Sequence, residues 1–201
     1  NVMHEMWLRR NGKDYYHFVY KNVLFVSLNT EDPPIALGKR ELVGQDRLLK
    51  MMANDPEGTQ KMLLQRSKPR SKGGSKPQPS EVAIGEQQVR YVEKALRENA
   101  KVRWTLVFMH KPAWETDNAQ FRQIEEMLAG RPYTVIAGHE HYYSYTKRFG
   151  RDYLDLSTTG GVWINQGSGN MDHITWVTMT DEGPVFANIR LDGLMDKYGP
   201  P

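Results

Sequence analysis

Three of the six histidines occupy positions from which they could bind a metal ion. His110 follows an apolar run that ends at Met109. His139 and His141 follow a second apolar run that ends at Ala137, after one intervening glycine. Neutral imidazole is a common ligand for zinc, iron and manganese ions. In an extended backbone, two histidines two residues apart point to the same side, which suits two metal ions about 3.5–4 Å apart. We therefore predict that His110, His139 and His141 form a metal site.

The elements that precede these histidines are predicted to be neighbouring strands of one sheet. Residues 102–109 and 133–137 are apolar enough to be buried strands. The segments 84–98 and 117–130 have the apolar periodicity of amphipathic helices. In open α/β sheets, ligands bind beyond the carboxyl ends of the strands, so the histidines are expected at that edge.

The remaining segments complete a predicted α/β domain with mixed sheets. Asp117 is predicted to cap the helix that follows it. Aromatic and β-branched residues around a Lys21-Asn22 turn predict a hairpin, and Asp55-Pro56 is expected to end a helix. These further elements are a hairpin over 14–28, a helix over 39–53, a helical turn over 59–65, and two later hairpins over 142–158 and 173–191.

The two histidine motifs resemble those of the calcineurin-like metallophosphoesterases. A lone histidine after a strand corresponds to Val107-Phe-Met-His-Lys-Pro112, and the family's final Gly-His-x-His corresponds to Ala137-Gly-His-Glu-His141. The chain is also similar to a bacterial branch of the family over residues 15–34, 85–88, 151–153 and 158–161. The resemblance covers nearly the whole chain. It implies a metal-dependent hydrolase of phosphomonoesters or phosphodiesters, built as a four-layer α/β/β/α sandwich with mixed sheets.

The resemblance also implies a ligand set. His110 and His139 would bind one ion and His141 a second, the ions being Mn, Fe or Zn. The family's earlier motifs, Asp-x-His, Gly-Asp-x-x-Asp and Gly-Asn-His-Asp/Glu, do not occur in the sequence. Because these motifs supply the bridging aspartate and other ligands, we interpret residues 1–201 as the C-terminal portion of such a domain. Two ions without a bridging carboxylate repel each other, so we expect this chain alone to bind metal weakly and to have little activity.

A basic low-complexity segment at 65–80 interrupts the predicted domain. It contains five basic residues and no acidic residue, and without these five the chain has 22 basic and 24 acidic residues. Its Ser, Pro and Gly content predicts a solvated insertion, with a nucleic-acid tether as the alternative. The composition of this segment argues against binding to nucleic acid, because no aromatic residues interleave the charges.

Other residues allow two interpretations each. Glu31 and Asp32 either support the metal site or form an acidic turn, and Trp114 with Tyr142–Tyr143 either line a substrate cleft or pack in the core. The Gly-rich loop over 160–170 is a candidate to cover a site, although it lacks a phosphate-binding signature. The other three histidines, His4, His17 and His173, are expected to have structural roles.

Composition excludes several classes of protein. There is no cysteine, which excludes disulfide scaffolds, Cys-ligated zinc and thiol catalysis. No apolar run approaches the ~18 residues of a membrane-spanning helix. The first residue is Asn1, so we expect further sequence before it, and localisation and oligomeric state stay open. Besides a phosphoesterase, a non-catalytic binding module on the same fold is consistent with the missing motifs.

Overall fold

The computed structural model describes residues 2–34, 39–66, 81–161 and 169–191. The chain divides into two compact units, one formed by residues 34–78 and the other by residues 2–33 and 79–201. The helices are α1 (Val2–Asn11), α2 (Lys39–Asn54), α3 (Pro56–Arg66), α4 (Glu86–Glu98) and α5 (Ala119–Leu128). The strands are β1 (Tyr16–Tyr20), β2 (Val23–Ser27), β3 (Trp104–Phe108), β4 (Tyr133–Ala137), β5 (Ser144–Arg148), β6 (Arg151–Asp155), β7 (His173–Met179) and β8 (Pro184–Arg190).

The smaller unit contains the helices α2 and α3. The predicted helix over 39–53 and its end at Asp55-Pro56 are confirmed, since α3 begins at Pro56. Asp55 caps α3 by accepting a hydrogen bond from the backbone N–H of Gly58 at 2.9 Å. The predicted basic segment at 65–80 starts within the last residues of α3, and residues 67–80 lie outside the described residues.

The larger unit contains a six-stranded mixed sheet in the order β1-β2-β3-β4-β6-β5. Its centre is parallel, because β2, β3, β4 and β6 pair in the same direction, and hairpins form both edges. The helices α4 and α5 connect β2 to β3 and β3 to β4. The α/β class and the mixed sheet predicted from the sequence are confirmed.

One face of this sheet packs against α4 and α5. Alternate strand residues point to this face, while apolar residues three and four apart on each helix point back to it. Burial of each such side chain stabilises the fold by roughly 1.5–3 kcal/mol. The buried cluster includes Leu24, Val26, Val107, Val135 and Tyr153 from the strands, and Val89, Val92, Phe121, Ile124 and Leu128 from the helices.

A separate hairpin of β7 and β8 follows the six-stranded sheet. Its turn lies against Trp104 of β3, because a Cβ atom added at Gly183 would be 2.6 Å from that ring. The guanidinium of Arg103 also donates a 2.7 Å hydrogen bond to the carbonyl of Thr180 in this turn. The predicted loop over 160–170 precedes the hairpin, and its residues 162–168 lie outside the described residues.

Two local predictions differ from the structure. The helix α1 was not predicted from the sequence, and its side chains from Glu5 to Asn11 are exposed. Asp117 was the wrong cap: Asn118 caps α5 by accepting a 2.8 Å hydrogen bond from the backbone N–H of Phe121. Across the described ranges, no helix combines the length and apolar character needed to cross a membrane.

Candidate metal centre

The segments that follow β3 and β4 are joined side by side at the carboxyl edge of the sheet. The backbone N–H of Met109 donates to the carbonyl of Ile136, and the N–H of Gly138 donates to the carbonyl of His110, each at 3.0 Å. The parallel ladder therefore continues past the ends of both strands. This continuation fixes the main chain of His110 next to that of His139.

The rings of His110 and His139 meet at this edge. His139 Nδ1 lies 3.1 Å from His110 Nε2, which is within hydrogen-bond distance. The ring centroids are 4.9 Å apart and the planes are nearly perpendicular, at 80°. The sequence predicted that these two histidines would converge, and the structure brings them into contact.

The backbone of the Gly-His-x-His segment differs from the extended form expected from the spacing. His139 has a φ of 80° and His141 a φ of 50°, so both residues lie in the left-handed region, which is uncommon for residues other than glycine. The assumption that an extended backbone points both rings to one side was therefore wrong. The turn is made at the histidines, while a Cβ atom at Gly138 would make only an ordinary 3.7 Å contact.

His141 lies near the segment that follows β6. A Cβ atom added at Gly161 would be 3.6 Å from its Cε1 atom. The positive charge of a protonated His141 contributes to lowering the pKa of His110, so the two rings interact electrostatically. Within the described ranges, no three or more His, Cys, Asp or Glu side chains are grouped so that they could hold a metal ion.

The environment of the pair favours a neutral imidazole at His110. Partial burial lowers the pKa of His110 most, the nearby His139 lowers it further, and the carboxylate of Glu31 opposes them. A neutral ring keeps a nitrogen lone pair available to a metal ion. Glu31 itself has a lowered pKa, mainly because it accepts a hydrogen bond from Lys111, and it is ionised at neutral pH.

Glu31 and Asp32, which the sequence grouped as one acidic pair, have separate partners. The carboxylate of Glu31 lies 2.8 Å from Lys111 Nζ. Asp32 instead accepts a 3.2 Å hydrogen bond from the side-chain amide of Gln88, which is fully buried at the start of α4. Of the two carboxylates, Glu31 is the one whose charge acts on His110.

Three carboxyl groups near the same edge, those of Asp155, Glu115 and Glu140, were not predicted from the sequence. Asp155 ends β6, is paired in register with Ala137 of β4, and is 2% exposed. Burial, Glu115 and Glu140 together raise its pKa to about 8, and burial and Glu140 also raise the pKa of Glu115. No local motif marks Asp155, because its place beside β4 depends on a pairing between distant segments.

The remaining candidates have structural contacts. His4 Nε2 lies 2.6 Å from Asp14, His17 Nδ1 lies 2.7 Å from the hydroxyl of Tyr91, and His173 is 3% exposed. Trp114 is buried and packs edge-on against Tyr153. The ring of Tyr143 packs against His173, and Tyr142 is partly buried. These contacts agree with the packing interpretation of Trp114 and with structural roles for the other histidines.

Comparison with known proteins does not assign the chain to a family. No protein-family model matches the chain, and no curated protein matches it significantly. The similarity to calcineurin-like metallophosphoesterases therefore depends on the quoted motifs, and the activity it implies stays a prediction.

Proposed function

We propose that this chain is part of a metal-dependent phosphoester hydrolase, with His110, His139 and His141 as its contribution to the metal centre. The observation that carries the proposal is the 3.1 Å separation of His110 Nε2 and His139 Nδ1 at the carboxyl edge of a parallel sheet. Two nitrogens that bind one zinc ion at about 2.0–2.1 Å, with an angle of roughly 90–110° between them, lie about 2.9–3.4 Å apart. The separation of the two rings falls within that range.

The chemistry of the donors agrees with Mn, Fe or Zn, but the described residues supply only part of a ligand set. Imidazole nitrogens suit these ions, and the lowered pKa of His110 keeps its ring neutral. A metal ion in such a site would supply charge stabilisation for the phosphoryl group and activate water. The histidines of this chain would hold and orient the ion, with the other ligands coming from sequence that carries the family's missing motifs.

The finer architecture is proposed on the same basis. A four-layer α/β/β/α sandwich requires a second sheet against the face of β1–β3 that α4 and α5 leave uncovered. The ring of Phe18, which is 49% exposed on that face, stacks on Phe25 at 4.6 Å, and Phe25 lies 6.3 Å from Phe108. Further strands could pack on this row of aromatic rings and bury it. We propose that residues 1–201 are the C-terminal portion of such a domain.

The first test is metal binding by two variants. His110→Ala and His139→Gly each remove one nitrogen of the pair, and glycine accepts the positive φ at 139 without strain. Each variant of the 201-residue chain should bind zinc at least about tenfold more weakly than the wild type in calorimetric titration. The control is His17→Ala, because His17 contacts Tyr91 and lies outside the pair. This variant should bind zinc like the wild type.

The second test is catalysis by the complete gene product. The same two variants should lose several orders of magnitude in the hydrolysis of an aryl phosphate monoester or diester, because phosphoester hydrolysis depends on the metal centre. Unchanged zinc affinity in both variants, or full turnover despite weaker binding, would reject the proposed site. The relative rates with the two esters would identify the substrate class.

A non-catalytic module on the same fold is the second candidate. It is favoured by one observation, namely that the described residues contain no metal-holding group of three or more side chains. This candidate predicts that the complete gene product binds no metal and hydrolyses neither ester.

A further inference from the structure

Lys111 joins the segment after β3 to two other segments through three contacts. Its side chain is 11% exposed, and its Nζ atom lies 2.8 Å from the carboxylate of Glu31. The same ammonium group donates a 3.1 Å hydrogen bond to the carbonyl of Glu81. The backbone N–H of Lys111 also donates to the hydroxyl of Thr30, at 3.2 Å. These contacts act on the residue directly after His110.

The segment from Asn29 to Asp32, which contacts Lys111, is itself fixed by hydrogen bonds. Thr30 and Asp32 exchange backbone hydrogen bonds with Ala83 at 3.0 Å, and the N–H of Glu31 donates to the side chain of Asn29 at 2.8 Å. The backbone of Asn29 is in turn bound on both sides by the buried amide of Gln88. The anchor is therefore a rigid part of the fold, so Lys111 fastens the His110 segment to a fixed point.

From these contacts we propose that Lys111 is a positioning residue, which holds His110 against His139 through its ion pair with Glu31. The inference rests on the proposed function insofar as the histidine pair binds a metal. A buried lysine has few alternative conformations once its ammonium group is bound, and the chain of His110 is attached to it directly. Partners that hydrogen-bond directly to the ring of a metal-binding histidine typically contribute 10–100-fold to metal affinity, and for Lys111, which acts through the main chain, we expect the lower end of this range.

Electrostatics and positioning predict opposite effects of removing the lysine. Lys111 carries a positive charge near the pair, so by charge alone Lys111→Met would strengthen the binding of a cation. If Lys111 positions His110, the same variant should weaken zinc binding by about tenfold. Glu31→Gln should also weaken binding, and the double variant should bind zinc no more weakly than Lys111→Met alone, because Lys111→Met already removes the contact that Glu31→Gln breaks.

The matched control is Lys94→Met. Lys94 also pairs with a glutamate, Glu98, at 3.7 Å, but both side chains are more than half exposed on α4. This variant should retain wild-type zinc affinity. Thermal melting of every variant shows whether it is folded, and Glu31→Gln, at an exposed carboxylate, keeps the test valid if Lys111→Met unfolds.

A measurement without metal separates this inference from the proposed function. In the metal-free chain, NMR contacts between the ring protons of His110 and His139 should be present in the wild type and lost or weakened in Lys111→Met and Glu31→Gln. If the ring contacts persist in both folded variants, or if zinc binds Lys111→Met as tightly as the wild type or tighter, positioning by Lys111 is wrong. If the contacts are lost but zinc binds neither the wild type nor any variant, Lys111 positions the pair and the metal function fails.

Discussion

Asp155 combines deep burial with a carboxyl group that has no hydrogen bond at one oxygen. Its Oδ1 atom has no donor among the described residues, and the residue is 2% exposed. An ionised carboxylate in such a place has lost its hydration without compensation, and Glu115 and Glu140 add repulsion. These causes raise the pKa of Asp155 from an ordinary 3.8 to about 8. The folded state therefore favours the protonated carboxyl group at neutral pH.

This raised pKa makes the stability of the fold depend on pH. Between about pH 4 and pH 8 the folded chain binds the Asp155 proton and the unfolded chain does not, so the free energy of unfolding falls as pH rises through this window. Asp155→Asn removes the titration. We expect the variant to be more stable than the wild type at pH 8 by about 1–3 kcal/mol, with a smaller difference at pH 4.

Urea unfolding of both chains at several pH values between 4 and 8 measures this difference. Asp181→Asn removes an exposed carboxylate in the turn between β7 and β8 and serves as the control, with a pH profile parallel to that of the wild type. A stability difference between the wild type and Asp155→Asn that stays constant over this window would show that Asp155 does not titrate there and is ionised in the folded state.

Individual site residues differ in how far the sequence identifies them. His110 and His139 could be predicted to meet, because each follows an apolar strand and parallel strands end at the same edge. Lys111 and Asp155 could not, since their roles depend on contacts with Glu31 and with β4 that join distant parts of the chain. The left-handed backbone at His139 also escaped prediction, because the spacing of residues does not determine φ.

At the scale of elements, local hairpins were predicted and one longer-range pairing was not. The hairpin of β5 and β6 follows from alternating residues around Phe149-Gly150, both of which have positive φ values. The parallel pairing of β6 with β4 was not predicted, because nothing near β6 in the sequence specifies its distant neighbour. That pairing adds β6, and through it β5, to the sheet and brings Asp155 beside the histidine turn.

A buried ion pair connects α5 to the β5–β6 hairpin. Arg148 binds Glu125 through two nitrogens at 3.0 and 3.1 Å, and the hydroxyl of Tyr153 donates to the same carboxylate at 2.8 Å. Tyr133 contacts the Tyr153 hydroxyl at 3.1 Å. The side chain of Glu125 is 4% exposed, so its charge depends on these partners. The network holds the hairpin edge of the sheet against the helix.

Arg148→Met should destabilise the fold by about 2 kcal/mol, because it leaves the buried Glu125 charge without its cation. The matched control is Arg122→Met on α5, the helix that carries Glu125, and the ion-pair partner of Arg122, Asp117, is 91% exposed. An exposed ion pair contributes little, so the control should change stability by no more than about 0.5 kcal/mol. Equal stabilities of the two variants in urea unfolding would contradict a structural role for the buried pair.

At the scale of the larger unit, β1 and the β7–β8 hairpin both expose apolar side chains. On β1, Phe18 is 49% and Tyr20 is 60% exposed, and this strand is also an edge of the six-stranded sheet. On the β7–β8 hairpin, Trp176 is 64% and Ile189 is 41% exposed. The strand register pairs Ile174 with Ile189 and Trp176 with Ala187, so these residues share one face of the hairpin. Contiguous exposed apolar surface of this kind promotes association.

We expect the isolated 201-residue chain to self-associate through the exposed hairpin face at micromolar concentrations. Trp176→Thr with Ile189→Thr should lower its weight-average mass in sedimentation velocity, because the two changes remove apolar contact area. Threonine keeps the preference for strand structure, so the thermal transition should survive. Phe149→Asn is the control: Phe149 is 73% exposed in a turn with a φ of 52°, which asparagine accepts. This control should associate like the wild type, since its side chain lies outside the hairpin face. A wild-type chain that stays monomeric up to about 100 µM would mean that these apolar residues are tolerated in water and need no covering strands.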